Sequence, residues 1–125
     1  MNHKIGVVGP CASGKSTLIA ALRARGYRVH HIAQEHSFVP YMWQKLVNPD
    51  VLIFLDVSYP LSVARRSLSW NLADWEEQQR RLAHARAHAH LYLQTDALSA
   101  PEVLKQVINF LNSQQIFPES AQTGV

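Results

Sequence analysis

Residues 5–17, Ile5-Gly6-Val7-Val8-Gly9-Pro10-Cys11-Ala12-Ser13-Gly14-Lys15-Ser16-Thr17, decide the fold of this chain. Lys4 to Val8 is a short apolar run rich in β-branched residues, which predicts a buried strand. Residues 15–25 place Leu18, Ile19 and Leu22 at helical spacing among alanines, and Gly26 fits the position that ends a helix. Between strand and helix lies a loop holding Gly9 and Gly14, two of the five glycines in the chain. Strand, glycine loop and helix in that order open a βαβ unit, and such units build parallel sheets.

Outward from this stretch the alternation continues. Tyr27–Ile32 alternates and predicts a second strand, 33–40 is loop-like, and Tyr41–Val47 is long enough for two helical turns. Asn48-Pro49-Asp50 is a turn. Val51–Leu55 is the most apolar run and predicts a central strand, which Asp56 ends. Pro60 suits a helix start, and residues 60–70 follow as helix. Residues 74–89 are rich in Glu, Gln, Arg and Ala, which predicts an exposed helix. Leu91-Tyr92-Leu93 is a last short strand. Ser99 and Glu102 then make the two halves of a capping box before the stripe Val103, Leu104, Val107, Ile108, Leu111. The expectation is one α/β domain over residues 1–112, a three-layer fold with a small, mostly parallel sheet. Residues 113–125 are expected to form a loose polar tail.

Gly9–Ser16 matches G-x-x-x-x-G-K-[ST], the phosphate-binding P-loop, a pattern that chance produces in roughly half a percent of chains this long. The chemistry explains the spacing. A loop leaving a strand must turn its backbone N–H groups inward around phosphate oxygens, and glycine permits both the angles and the close approach. The following helix aims its positive end at the same anion. Lys15 reaches the β- and γ-phosphates and Ser16 offers a hydroxyl to Mg²⁺, with Gly9, Cys11, Ala12, Ser13, Gly14 and Thr17 completing the nucleotide cradle. No Asn-Lys-x-Asp guanine-reading motif occurs, so ATP is the expected nucleotide.

Composition limits the remaining classes. The chain has 125 residues, 47% of them hydrophobic and 17% charged, which is globular. No apolar run approaches the roughly 18 residues of a membrane span, and no secretory leader precedes the first strand, so a cytoplasmic location is expected. One cysteine, Cys11, leaves no internal disulfide and no cysteine-rich zinc site. The formal charge of +3 is scattered in small arginine groups without a basic stripe, which disfavours nucleic acid as substrate.

The motif GPCASGKST, the stretch PDVLIFLDVSYPLSVARR and the close YLQTDALSAPEVLKQVINFL together resemble the small P-loop nucleoside and nucleotide kinases, the group of adenylate and thymidylate kinases. The resemblance covers most of residues 4–112. It implies transfer of the ATP γ-phosphoryl group to a small acceptor, with Mg²⁺. It implies that Arg65 and Arg66 open a lid over the phosphates, that Arg80 or Arg81 closes it, and that the segment around Asp96 lies near the base. The chain departs from that pattern between the second strand and Val51. Only residues 33–50 lie there, where relatives carry an acceptor segment and an additional strand whose Asp organises Mg²⁺. That leaves two readings: a phosphotransferase with a shortened acceptor site, or a nucleotide-binding regulator or NTPase without such transfer.

Single residues carry alternatives of their own. Asp56 at the end of an apolar strand fits a Mg²⁺-holding carboxylate, or a cap on the following turn. Glu35 follows the second strand at the edge where open α/β sheets bind ligands, which suits a general base or Mg²⁺ ligand, or else an exposed loop carboxylate. Arg65 and Arg66 suit phosphate geometry, or a solvated helix face. His84 and His88 lie four apart without a third ligand, which favours an exposed face over a metal pair. Trp43, with Tyr41 and Phe38, walls an acceptor pocket or covers a core edge. Cys11 is read as packing, with oxidation sensitivity as a second possibility. A short sheet with unpaired edges also makes self-pairing into a homodimer a reasonable expectation.

Overall fold

A computed structural model of the chain describes residues 3–65 and 70–119. Four strands, β1 (Ile5–Val8), β2 (Val29–His31), β3 (Val51–Asp56) and β4 (Leu91–Gln94), form one sheet in the order β2-β1-β3-β4. Every pairing is parallel, with Ile5 opposite Val29 on one side and Val51 on the other, and Ile53 opposite Leu91. The two central strands are buried along their whole length, as their unbroken apolar sequences require.

Helices α1 (Lys15–Ala24), α2 (Met42–Leu46), α3 (Tyr59–Arg65), α4 (Leu72–His88) and α5 (Ala100–Ser113) connect them, with one 3-10 turn at Gln34–His36. The core divides along the pleat. Ile5, Val7, Ile53 and Leu55 face α1 and α5, where Leu18, Leu22, Val107 and Leu111 are buried. Val8, Leu52 and Phe54 face the other way, against Trp43 of α2 and Leu82 and Ala85 of α4. Each fully buried side chain of this size contributes about 1.5–3 kcal/mol.

This division corrects the expectation for α4. Its mean hydropathy is low, yet Gln78, Leu82 and Ala85 recur on one face and bury it. An Asn71–Asp74 capping box starts the helix, three residues before its acidic run. The expected capping box of α5, Ser99 with Glu102, is present. Residues 114–119, the described part of the expected loose tail, are docked after α5. Ile116 is buried in the core, and the Glu119 N–H donates to the Gly26 carbonyl at 2.9 Å. No helix among the described residues is long and apolar enough to cross a membrane.

The connection β1–α1–β2 covers one face, and the connection through α2 to β3 covers the other. The strand order therefore reverses at β1, between its neighbours β2 and β3. Open parallel sheets bind ligands in the crevice at such a point, beyond the carboxyl ends of the strands. The loop that leaves β1 there is Gly9–Gly14.

Candidate functional site

The loop is shaped by its glycines and by one clasp. Gly9 has φ +156°, and a Cβ there would stand 2.0 Å from the Leu55 carbonyl oxygen. The loop thus presses on the end of β3 so closely that only glycine fits. Gly14 has φ +96°, and a Cβ on it would meet nothing within 4 Å. Its glycine character therefore serves the left-handed backbone and an open space in front of it, not a neighbour. Ala12 is also left-handed, at φ 69°. Gln78 of α4 holds the loop from outside. The Cys11 N–H donates to Gln78 Oε1 at 3.0 Å, and Gln78 Nε2 donates to Cys11 Sγ at 3.2 Å.

Helix α1 starts on Gly14 with no side-chain cap. Its first N–H groups have no helical acceptor and carry the positive end of the dipole. Lys15 is only 7% exposed and folds back over the loop. Its Nζ donates to the carbonyls of Gly9 at 2.7 Å and Pro10 at 3.0 Å, and pairs with Glu35 Oε2 at 2.9 Å. Glu35 Oε1 and Ser13 Oγ are buried with no hydrogen-bond partner among the described residues.

Two cavities meet at the loop. The smaller, about 290 Å³, is lined by Cys11–Thr17, His31 and Glu35, which bring hydroxyl, ammonium, imidazole and carboxylate groups to it. Burial is the largest cause holding the His31 pKa below its ordinary value, and the Lys15 charge adds to it. The larger cavity, about 540 Å³, lies between α1 and α5, with Leu18, Leu98, Val103 and Leu104 among its apolar walls. Ala12, Ser13, Gly14 and Thr17 line both. Arg65 stands at this seam: its Nη1 donates to the Ala12 carbonyl at 2.9 Å and lies 3.5 Å from Thr95 Oγ1.

The structure thus brings together Gly9, Cys11, Ala12, Ser13, Gly14, Lys15, Ser16, Thr17, Glu35 and Arg65. Arg66 lies outside the described residues. Asp56 is placed elsewhere: Oδ2 accepts from Arg86 Nη2 at 3.2 Å and Tyr92 OH at 2.6 Å, and Oδ1 from the Val57 N–H at 2.9 Å. This carboxylate closes the β3–β4 edge and does not line the small cavity, whose carboxylate is Glu35. Asp96 is exposed and serves the chain itself, accepting from the Ser58 N–H at 3.0 Å. Burial, the largest single influence on its pKa, acts upward. The hydrogen bonds from Ser58 and Gln94 and the Arg65 charge outweigh it and hold the carboxyl below its usual range. Its neighbour Thr95, rather than Asp96, lines the large cavity.

Arg80 and Arg81 both pair with Glu77; Arg80 is exposed, whereas Arg81 is mostly covered, lies over the Phe38 ring and donates from Nη1 to the Glu35 carbonyl at 3.3 Å. Trp43 is buried and donates from Nε1 to His84 Nδ1 at 3.0 Å, so it belongs to the core and not to a pocket wall. Sequence reasoning missed Gln78 and Gln34. The buried Gln34 side chain accepts from the Trp43 N–H and donates to the Val39 and Arg81 carbonyls, which fixes the turn carrying Glu35. The only signal for either was a glutamine at a position the helix or loop buries.

A scan against protein-family models matches none, and a search of curated proteins returns no match.

Proposed function

We propose that the chain binds ATP with Mg²⁺ on the Gly9–Thr17 loop and transfers the terminal phosphoryl group to a small acceptor. On this reading the four-stranded sheet is a reduced P-loop NTPase fold. The observation that carries it is the loop at the seam of two cavities, one into which Ser13, Lys15, Ser16, Thr17 and Glu35 bring polar groups, one mostly apolar and large enough for a nucleoside.

The residues present fit the ligand. The space in front of Gly14 is open, the first N–H groups of α1 have no helical acceptor and would suit an anion, and Glu35 Oε1 and Ser13 Oγ have no partner among the described residues. Ser16 and Glu35 would hold the cation, in place of the expected Asp56. Mg-ATP, when bound, supplies the transferable phosphoryl group and a cation that neutralises its oxygens. Lys15 exchanges its loop carbonyls for phosphate. Arg65 keeps a guanidinium at the mouth of the cradle, where charge develops.

One observation favours a second reading, a nucleotide-responsive binding protein without transfer. Trp43, the leading candidate for an acceptor wall, is buried in the core under α4. The experiment that separates the two is ADP release from Mg-ATP with nucleosides, nucleoside monophosphates and small hydroxyl compounds, with ATP binding measured in parallel. Acceptor-dependent release abolished by Lys15→Ala supports transfer. Saturable binding without release under any acceptor supports the second reading, and no binding at all rejects both.

A further inference from the structure

We infer that Cys11, Glu35 and His36 form a binding site for a zinc-class divalent cation at the rim of the small cavity. The inference goes beyond nucleotide binding; its site shares Glu35 with the Mg²⁺ proposed above, so the test is run on the nucleotide-free protein.

One ligand atom from each residue lies within 4.8 Å of the other two. Cys11 Sγ stands 3.9 Å from His36 Nε2, and His36 Nε2 stands 3.8 Å from Glu35 Oε2. A tetrahedral zinc with one sulfur and one nitrogen ligand sets them about 3.6 Å apart, so little contraction is needed. The second observation is Glu35 itself. Its side chain is 3% exposed, Oε2 is engaged by Lys15, and Oε1 is buried without a partner among the described residues. The oxygen measured against His36 is Oε2; leaving Oε1 of the same buried carboxylate unpartnered is costly, and a cation held by this carboxylate would offset that cost.

The ligand set names the metal class. Thiolate, imidazole and carboxylate together suit zinc, and cobalt as its spectroscopic substitute, rather than magnesium or calcium, which take oxygen ligands. The site is also oriented from behind. Gln78 donates to Cys11 Sγ and accepts from the Cys11 N–H, which fixes the thiol against the loop. Three protein ligands leave a fourth position open, the arrangement of an exchangeable metal and not of a closed structural one. The other histidine pair is a poorer host. His84 Nδ1 already accepts from Trp43, and His88 Nδ1 lies 2.8 Å from the His84 carbonyl oxygen.

The test is titration of the reduced protein with Co²⁺, followed by Zn²⁺ displacement, reading the thiolate-to-cobalt charge-transfer band. One equivalent is expected to produce that band with tetrahedral ligand-field absorption. Cys11→Ser is expected to remove it. His36→Ala is expected to weaken cobalt binding at least about tenfold. The His36 side chain is 62% exposed, so this variant keeps the fold and the test stands even if Cys11→Ser does not. His88→Ala is expected to bind as the parent does. Absence of the band in the parent protein, unchanged affinity in His36→Ala, or loss of binding in His88→Ala would each overturn the site.

Discussion

Lys15 Nζ lies 2.9 Å from Glu35 Oε2, and both side chains are more than nine-tenths buried. One comes from the first turn of α1 and the other from the 3-10 turn after β2, so the pair ties the loop to the edge of the sheet. Two buried charges of opposite sign stabilise each other only as a pair, and removing one strands the other. Lys15→Met and Glu35→Gln should each cost about 3 kcal/mol. The double variant should cost clearly less than their sum. Urea unfolding of the four proteins measures this directly. Additive losses would mean that the two groups act on stability independently.

Gly9 and Gly14 should fail for different reasons. At Gly9 a Cβ meets the Leu55 carbonyl at 2.0 Å, which is backbone that cannot rotate away. Gly9→Ala should therefore unfold the chain or cost more than about 3 kcal/mol. At Gly14 the Cβ meets nothing, so Gly14→Ala should cost about 1–2 kcal/mol of backbone strain while filling the space before the helix. Thermal melting ranks the two. Nucleotide titration of folded Gly14→Ala should show at least tenfold weaker binding, and unimpaired binding there would place the phosphates elsewhere.

The element order was legible in the sequence because the two central strands, IGVV and VLIFLD, are apolar runs with β-branched residues and α5 carries its own capping box. The motif was legible because it is local. What was not legible depends on pairing across the sheet. Asp56 ends β3 and Glu35 lies in the turn after β2, and both strands flank β1; Glu35 reaches Lys15, while Asp56 is taken up by Arg86, Tyr92 and the Val57 N–H, partners that no local pattern announces. The α4 face was missed for a related reason. It buries a glutamine and an alanine beside one leucine, so its apolar signal is weak although its burial is complete. Ile116 and Phe117 form one short apolar pair after a polar run, and the sequence does not tell that Ile116 docks while Phe117 stays exposed.

Gln78 acts on the loop through Cys11. Gln78→Ala should leave the Cys11 N–H without its acceptor and cost about 1–2 kcal/mol. As a positioning residue it should also loosen the cradle. Hydrogen exchange at the Cys11 amide should rise, and nucleotide affinity should fall several-fold, with Gln78→Glu restoring the acceptor but not the donation to sulfur. A stability loss with unchanged exchange at Cys11 would reduce Gln78 to packing.

Tyr92 donates to Asp56 at 2.6 Å, and its pKa is pushed up to about 12, first by burial and then by that carboxylate. The neutral phenol is the form the fold prefers. Its contribution is complete below the unfolded value near pH 10 and is lost as pH rises toward 12. The unfolding midpoint in urea should thus fall between pH 10 and 12 more steeply in the parent than in Tyr92→Phe. At pH 7 the variant should be about 1 kcal/mol less stable, since the ring is partly exposed. Parallel curves through that window would show that Tyr92 does not sense its neighbour.

The two cavities make separable demands on one ligand, and Ala21 separates them. This residue lines the large apolar cavity from α1 and takes no part in the loop. Ala21→Phe places a ring in the space assigned to the nucleoside and leaves Gly9–Thr17 untouched. If phosphates sit on the loop and the base in the apolar cavity, ATP binding should weaken at least about tenfold, near 1.4 kcal/mol, while inorganic pyrophosphate binds as before. Lys15→Ala should weaken both. Calorimetric titration of the three proteins with the two ligands reads all six affinities. Equal weakening of pyrophosphate and ATP in Ala21→Phe would mean a general distortion of α1. Unchanged ATP binding in that variant would move the base out of the cavity between α1 and α5 and leave the loop as a site for phosphate alone.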